Sequence, residues 1–251
     1  MYIRHTFLTI FIFLVFFSTS NTHASVTDTT ETEGNPIVAG AELDLCSRYL
    51  WRGLTNSEGA VLQPSLWIGK RPFNFSIWGN LVLNNEANQG QFNEFNYTLQ
   101  TEHSICDINL TVNIYYYQYP NQEESPSTGE VELICAYEMS NFEFSLTNVI
   151  DVIEYPGAYF GSLGVIVPLK LDFSEFYHEF GIGWSSAQFN DIYIELKQAS
   201  LLVINYAISS QLEYRKFCFQ PSLNLYYLPA ERIRRQVDQS FIITGGVSIS
   251  R

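Results

Sequence analysis

Carboxylates recur at every second position in this chain, at Glu42 and Asp44 and again at Glu130 and Glu132. Residues i and i+2 of an extended strand point the same way, so each pair sets two acids on one face. Such a pair could act as general acid and base, hold a cation, or line a passage for one. The intervening residues narrow the choice. Ala41, Leu43 and Leu45 alternate with Glu42 and Asp44, and Val131 and Leu133 with Glu130 and Glu132, so the opposite face is oily.

Nucleophilic catalysis finds little footing. A Ser–His pair needs a third group to orient the imidazole, and only His103 and His178 lie outside the N-terminal leader described below. His103 precedes Ser104 at an expected turn, where consecutive strand side chains diverge. His178 falls on the apolar face, with no Ser two positions away. Glu102, His103 and Cys106 gather near one turn, yet a tetrahedral metal site needs a fourth donor that the spacing does not supply. Gly161 to Gly164 lies inside an expected strand, so it is no phosphate loop. Neither enzymatic activity, a metal nor a cofactor is expected.

The elements that position these residues are strands. Alternation runs from Ile37 to the last residue and divides into twelve segments, near 37–52, 60–70, 73–84, 93–104, 107–119, 129–139, 142–152, 158–169, 172–184, 200–214, 216–228 and 238–250. Connections alternate in length. Short ones fall at Arg71-Pro72, Cys106-Asp107, Ser140-Asn141, Lys170-Leu171 and around Arg215, and long polar ones at 53–59, 85–92, 120–128, 153–157, 185–199 and 229–237. Asp191 to Gln198 alternates well enough to be a strand, but counting it would make the total odd, so 185–199 is taken as a loop extension. An even count, with short turns on one rim and long loops on the other, is the pattern of an antiparallel transmembrane β-barrel.

Parity then assigns the faces. Leu110, Val112, Ile114 and Tyr116 point outward and Asn109, Thr111, Asn113, Tyr115 and Tyr117 inward. The same counting turns Glu42, Asp44, Glu94, Glu102, Glu130, Glu132, Glu138, Glu143, Asp151, Glu179 and Glu213 inward, with Arg48, Arg52 and Arg215 as the inward bases. Tyr49, Trp51, Tyr116 and Tyr227 are expected in an outer aromatic girdle at the loop rim, with Phe73, Tyr137, Phe142 and Tyr214 at the turn rim. Arg48 and Arg52 could guide anions, but acidic neighbours favour a role as locks. A barrel this small could also be filled by its own side chains.

Composition agrees. Charged residues make up 16% and aromatics 16%, with 16 Tyr and 19 Phe, which is poor in charge for a protein facing water on all sides. The net charge of −13 repels phosphate backbones, so no nucleic acid is expected as a partner. Residues 1–24 have the plan of a cleaved signal peptide, with Arg4 and His5 before an apolar run from Phe7 to Phe17 that is too short to span a bilayer as a helix. Residues 25–36 are Thr-rich, acidic and aperiodic, an expected periplasmic tail. The barrel would occupy 37–251. Cys46, Cys106, Cys135 and Cys218 are scattered, and a disulfide stays open in an oxidising compartment. A secreted β-sandwich, whose strands also alternate, is the soluble alternative.

Ser47-Arg48-Tyr49-Leu50-Trp51-Arg52-Gly53, then Gln63-Pro64-Ser65-Leu66 and Ser76-Ile77-Trp78-Gly79-Asn80, resemble the opening of bacterial porins of the TorF-like family. Asn93-Glu94-Phe95-Asn96-Tyr97, Tyr115 to Pro120 and Glu130-Val131-Glu132-Leu133 extend the resemblance over about 40–170. It implies an outer-membrane barrel of a Gram-negative bacterium, inserted by the barrel-assembly machinery, surrounded by outer-membrane lipid and passing small solutes. Such barrels commonly end in an aromatic residue read during assembly, whereas this chain ends Ser248-Ile249-Ser250-Arg251. The surplus of inward acids points to cationic or neutral solutes. A closed barrel acting as a structural or adhesive surface protein through its loops is the alternative.

Overall fold

The computed structural model describes residues 35–84, 88–122, 125–171 and 174–251. The expected signal segment, and all of the expected tail but its last two residues, lie outside them. The elements are β1 (Val38–Cys46), β2 (Tyr49–Trp51), β3 (Leu54–Ser57), β4 (Val61–Lys70), β5 (Phe73–Val82), β6 (Phe92–Ile105), β7 (Ile108–Gln118) and β8 (Thr128–Met139). They continue with β9 (Phe142–Asp151), β10 (Tyr159–Leu171), β11 (Ser174–Ser185), α1 (Ala187–Ile194), β12 (Ser200–Ser210), β13 (Leu212–Tyr214), β14 (Phe217–Tyr227), α2 (Glu231–Val237) and β15 (Phe241–Ser250).

One sheet closes on itself as a twelve-stranded antiparallel β-barrel. Its wall runs β1-β4-β5-β6-β7-β8-β9-β10-β11-β12-β14-β15 and returns to β1, where Glu42 lies opposite Ser65 on one side and Ser250 on the other. Closure leaves no edge strand unpaired. The strand β13 prolongs the line of β12 past Gln211 and pairs with β14.

Two-residue turns join the strands at one rim. Lys70 pairs with Phe73, Ile105 with Ile108, Met139 with Phe142 and Tyr214 with Phe217. Cys106, Ser140 and Arg215, each first of its turn pair, take φ of 55°, 56° and 59°. Positive φ there lets the turn follow the right-handed twist of its strands. Leu171, expected in a turn with Lys170, instead stays in β10 and pairs with Ser174.

The wall alternates as its sequence does. Leu66, Ile68, Ile114, Leu133, Leu146, Leu163 and Leu223 are exposed on the outer face, while Asn96, Thr98, Gln100, Asn113 and Thr147 are buried on the inner one. A sandwich would bury the apolar face between two sheets, so the closed ring, oily outside and polar inside, removes that alternative. Tyr116 and Tyr227 are exposed toward the loop rim, and Phe73, Tyr137, Phe142 and Tyr214 toward the turn rim.

Three features of the loop rim depart from expectation. The first strand stops at Cys46 instead of running to 52, and 49–57 forms the hairpin β2–β3. The 185–199 segment holds α1, capped by Ser186, whose Oγ accepts from the Phe189 amide at 3.1 Å. The 229–237 loop holds α2, with Glu231 in its first turn and Arg234 and Arg235 in its last, each sign facing the helix pole that stabilises it. All four cysteines carry thiols, and that of Cys46 donates to Gln63 Oε1 at 3.8 Å.

Candidate functional site: the barrel interior and its inserted hairpin

The β2–β3 hairpin turns inward. Tyr49 and Trp51 are 1% and 8% exposed, inside the molecule rather than in an outer girdle. A large ring at a strand end gains as much by filling an interior as by facing outward, and here the chain breaks at Ser47-Arg48 and folds over the mouth. Arg52 and Gly53 form the tip, with φ of 53° and 82°. Two consecutive positive-φ residues make the tight turn of a two-residue hairpin. For Arg52 the left-handed backbone costs about 1 kcal/mol, so its side chain must contribute more than that.

It does so through Glu130 on β8, five strands round the ring from β1 and 78 residues away in sequence. Arg52 Nη1 donates to Glu130 Oε1 at 2.7 Å and Nη2 to Oε2 at 2.6 Å, a two-pronged pair out of reach of water. The guanidinium carbon lies 4.2 Å from the Trp51 ring centroid, 5.1 Å from Phe160 and 5.6 Å from Phe189. Burial works against the charge on Arg52, and the Glu130 carboxylate more than offsets it, so the guanidinium stays protonated. Tyr117 Oη adds a third donor to Glu130, at 2.8 Å.

Apolar packing holds the hairpin in place. Trp51 stacks on Phe189 of α1 at 5.5 Å and meets Tyr193 edge-on at 4.8 Å. Leu54, Phe160, Leu202, Val203, Leu228 and Ile233 join one buried cluster with them, drawn from the hairpin, the wall and both helices. A Cβ at Gly53 would lie 2.8 Å from Val203 Cβ, so only glycine allows this approach. Burial raises the Tyr193 phenol, which stays neutral beside this cluster.

The inward acids fall into three levels. Toward the loop rim, Tyr49 Oη donates to Glu94 (2.9 Å), Tyr115 Oη and Asn113 Nδ2 both donate to Glu132 Oε1 (2.7 Å), and Thr128 Oγ1 donates to Asp151 Oδ2 (2.6 Å). Asp151 also receives the Ile153 and Tyr155 amides and so ties down the loop after β9. Midway, Glu42 and Asp44 are buried side by side on β1, with Ser248 of β15 opposite Asp44. Glu179 on β11 and Glu143 on β9 both lie opposite Ile166 of β10. Glu102 and Glu143 are half-buried nearer the turn rim, where Glu138 and Glu213 open to solvent.

The bases take other places. Arg48 sits at the loop rim, 3.8 Å from Glu58. Arg52 is a lock, though to a far strand rather than a neighbouring one. Arg215 stands in a turn with its guanidinium 5.3 Å from the Tyr214 ring, on the outer side of the rim and not among the inward acids. His103 and His178 face outward, apart from each other, in contact with Thr101 and with Tyr206. The Gln63–Asn80–Asn93 amide chain, linked at 2.8 and 2.7 Å, crosses the inner wall beside the hairpin. Sequence reasoning passed over it, because neutral amides on an inward face look alike whether they bind one another or water.

No known family model and no curated protein sequence matches the chain. Among solved structures, a KdgM porin aligns with a TM-score of 0.53 over 84% of this chain and 97% of that one, at 6% identity. The chain has the porin barrel fold. KdgM porin in complex with disordered oligogalacturonate aligns at 0.50, over 85% and 98% of the two chains and at 7% identity.

Proposed function

We propose that the protein is an outer-membrane channel for small solutes, of the TorF-like porin kind, with its loop rim outside the cell and its mouth held shut by the β2–β3 hairpin. The observation that carries this reading is the latch itself: a buried Arg52–Glu130 pair pins a loop across the interior of a barrel that is oily outside and polar within. A barrel needed only as an anchor has no use for a charged interior, since buried ions stabilise less than apolar packing. The carboxylates on the inner wall favour cationic or neutral solutes over anions.

Planar-bilayer recording tests this. Wild-type protein is expected to conduct rarely, and Arg52→Ala to conduct often, with a reversal potential in a salt gradient that shows cation preference. The buried apolar cluster supports a second reading, a permanently closed barrel serving as a surface protein. Inserted protein that never conducts, latch variants included, would favour it.

A further inference from the structure

The outer face carries a second feature where β13, β14 and β15 reach the turn rim. Tyr214 pairs with Phe217, and Cys218 with Ser250, so the chain's register sets Tyr214, Phe217 and Arg251 side by side. Both rings are exposed, as is Leu212. Arg215 lies 5.3 Å from the Tyr214 ring centroid and Arg251 lies 6.0 Å from that of Phe217, two guanidiniums held over two outward rings. Lys216 adjoins them, and Lys70 ends β4 two strands further round the rim. No ion pair engages Arg215, Lys216 or Arg251 among the described residues. In a chain of net charge −13 these bases gather on the outer side of the rim, while Glu213 alternates with Leu212 and Tyr214 and so faces the other way.

We infer that this seam binds an anionic glycerophospholipid of the leaflet at the turn rim, an inference that rests on the membrane reading above. Guanidinium forks match phosphate oxygens two at a time, and a ring beneath each fork orients it before the ligand arrives. Aromatic rings sit at the headgroup level of a bilayer, and basic groups there attract acidic lipids. Tyr214, Phe217 and Leu212 offer the acyl chains an apolar bed that a free phosphate ion would not use.

The test uses folded protein reconstituted in phosphatidylcholine vesicles with or without phosphatidylglycerol, extracted in mild detergent and weighed intact by native mass spectrometry. Wild type is expected to keep phosphatidylglycerol adducts in preference to phosphatidylcholine, and R215Q/R251Q to lose them. R215K/R251K keeps the charge without the flat fork and should retain fewer than wild type. K197Q/R232Q removes the same charge at the loop rim and should retain them all. Boiled and unboiled gel samples establish that each variant is folded. Adducts unchanged in R215Q/R251Q, lost equally in K197Q/R232Q, or replaced by inorganic phosphate without lipid preference would overturn the inference. Wild type that never floats with vesicles would instead overturn the membrane reading on which it stands.

Discussion

Replacing Arg52 with alanine removes one partner of a buried ion pair and leaves the other. Glu130 is 2% exposed and would keep only the Tyr117 hydroxyl, so its charge would stay buried with one donor in place of three. Breaking such a pair costs about 3–5 kcal/mol. The cation–π contact with Trp51 adds about 1 kcal/mol. The backbone offers no relief, because alanine at φ 53° is as strained as arginine. A loss of about 4 kcal/mol in hairpin docking moves the docked-to-undocked ratio by nearly a thousandfold. Two assays read this change: open probability in planar bilayers, and cleavage of the hairpin by protease added to the loop side of reconstituted vesicles. Both should rise in Arg52→Ala. The double variant R52M/E130M removes the stranded charge and should recover much of the loss, since apolar replacement of a whole buried pair is often neutral or better. Cleavage and open probability unchanged in R52A, or a double variant as loose as the single, would refute the claim that this pair latches the hairpin.

Three further outcomes follow from the same geometry. Gly53→Ala sets a Cβ against Val203 at a positive φ and should weaken hairpin docking by about 1–3 kcal/mol, seen as faster cleavage at the loop side with the barrel still heat-modifiable. Leu133→Arg places a cation on the outer face and should lower refolding stability in lipid vesicles by about 2–4 kcal/mol if its depth is near the midplane, whereas Leu133→Met should be tolerated; equal urea midpoints for the two would speak against contact with lipid. E42Q/D44N replaces two adjacent buried carboxyl groups with neutral amides, and since burial disfavours charge it should raise the heat-modifiability midpoint at neutral pH. That gain should vanish in acid, where the wild-type carboxyls are also neutral, and a midpoint lowered by the variant would point to a cation that the pair holds.

Much of the wall was legible because its causes are local. Period-two alternation states which side chains share a face, and pairs such as Ser140-Asn141 mark where a strand must reverse. Both survive in a single chain without knowledge of its neighbours. The Asp191 to Gln198 alternation was misleading because eight residues fit two periods, and the Ser186 cap that favours a helix acts only once its amides are in place. In α2 the charge order Glu231, Arg234, Arg235 was visible in the sequence, but a helix this short forms only against a partner, here the buried cluster that Ile233 joins.

The hairpin inside the barrel had no such local signature. Tyr49 and Trp51 alternate like their predecessors in β1, and rings at a strand end serve an outer girdle or an inner plug equally well. Arg52 and Glu130 are 78 residues apart, and their pairing depends on ring curvature bringing β8 across from β1. Sequence alone determined the strand period, the oily and polar faces and the alternation of short turns with long loops, because each is set by neighbours along the chain. Tertiary structure decided that the first long loop lies inside the barrel, because only closure of the ring creates the buried space and the distant carboxylate that make an inward arginine stable.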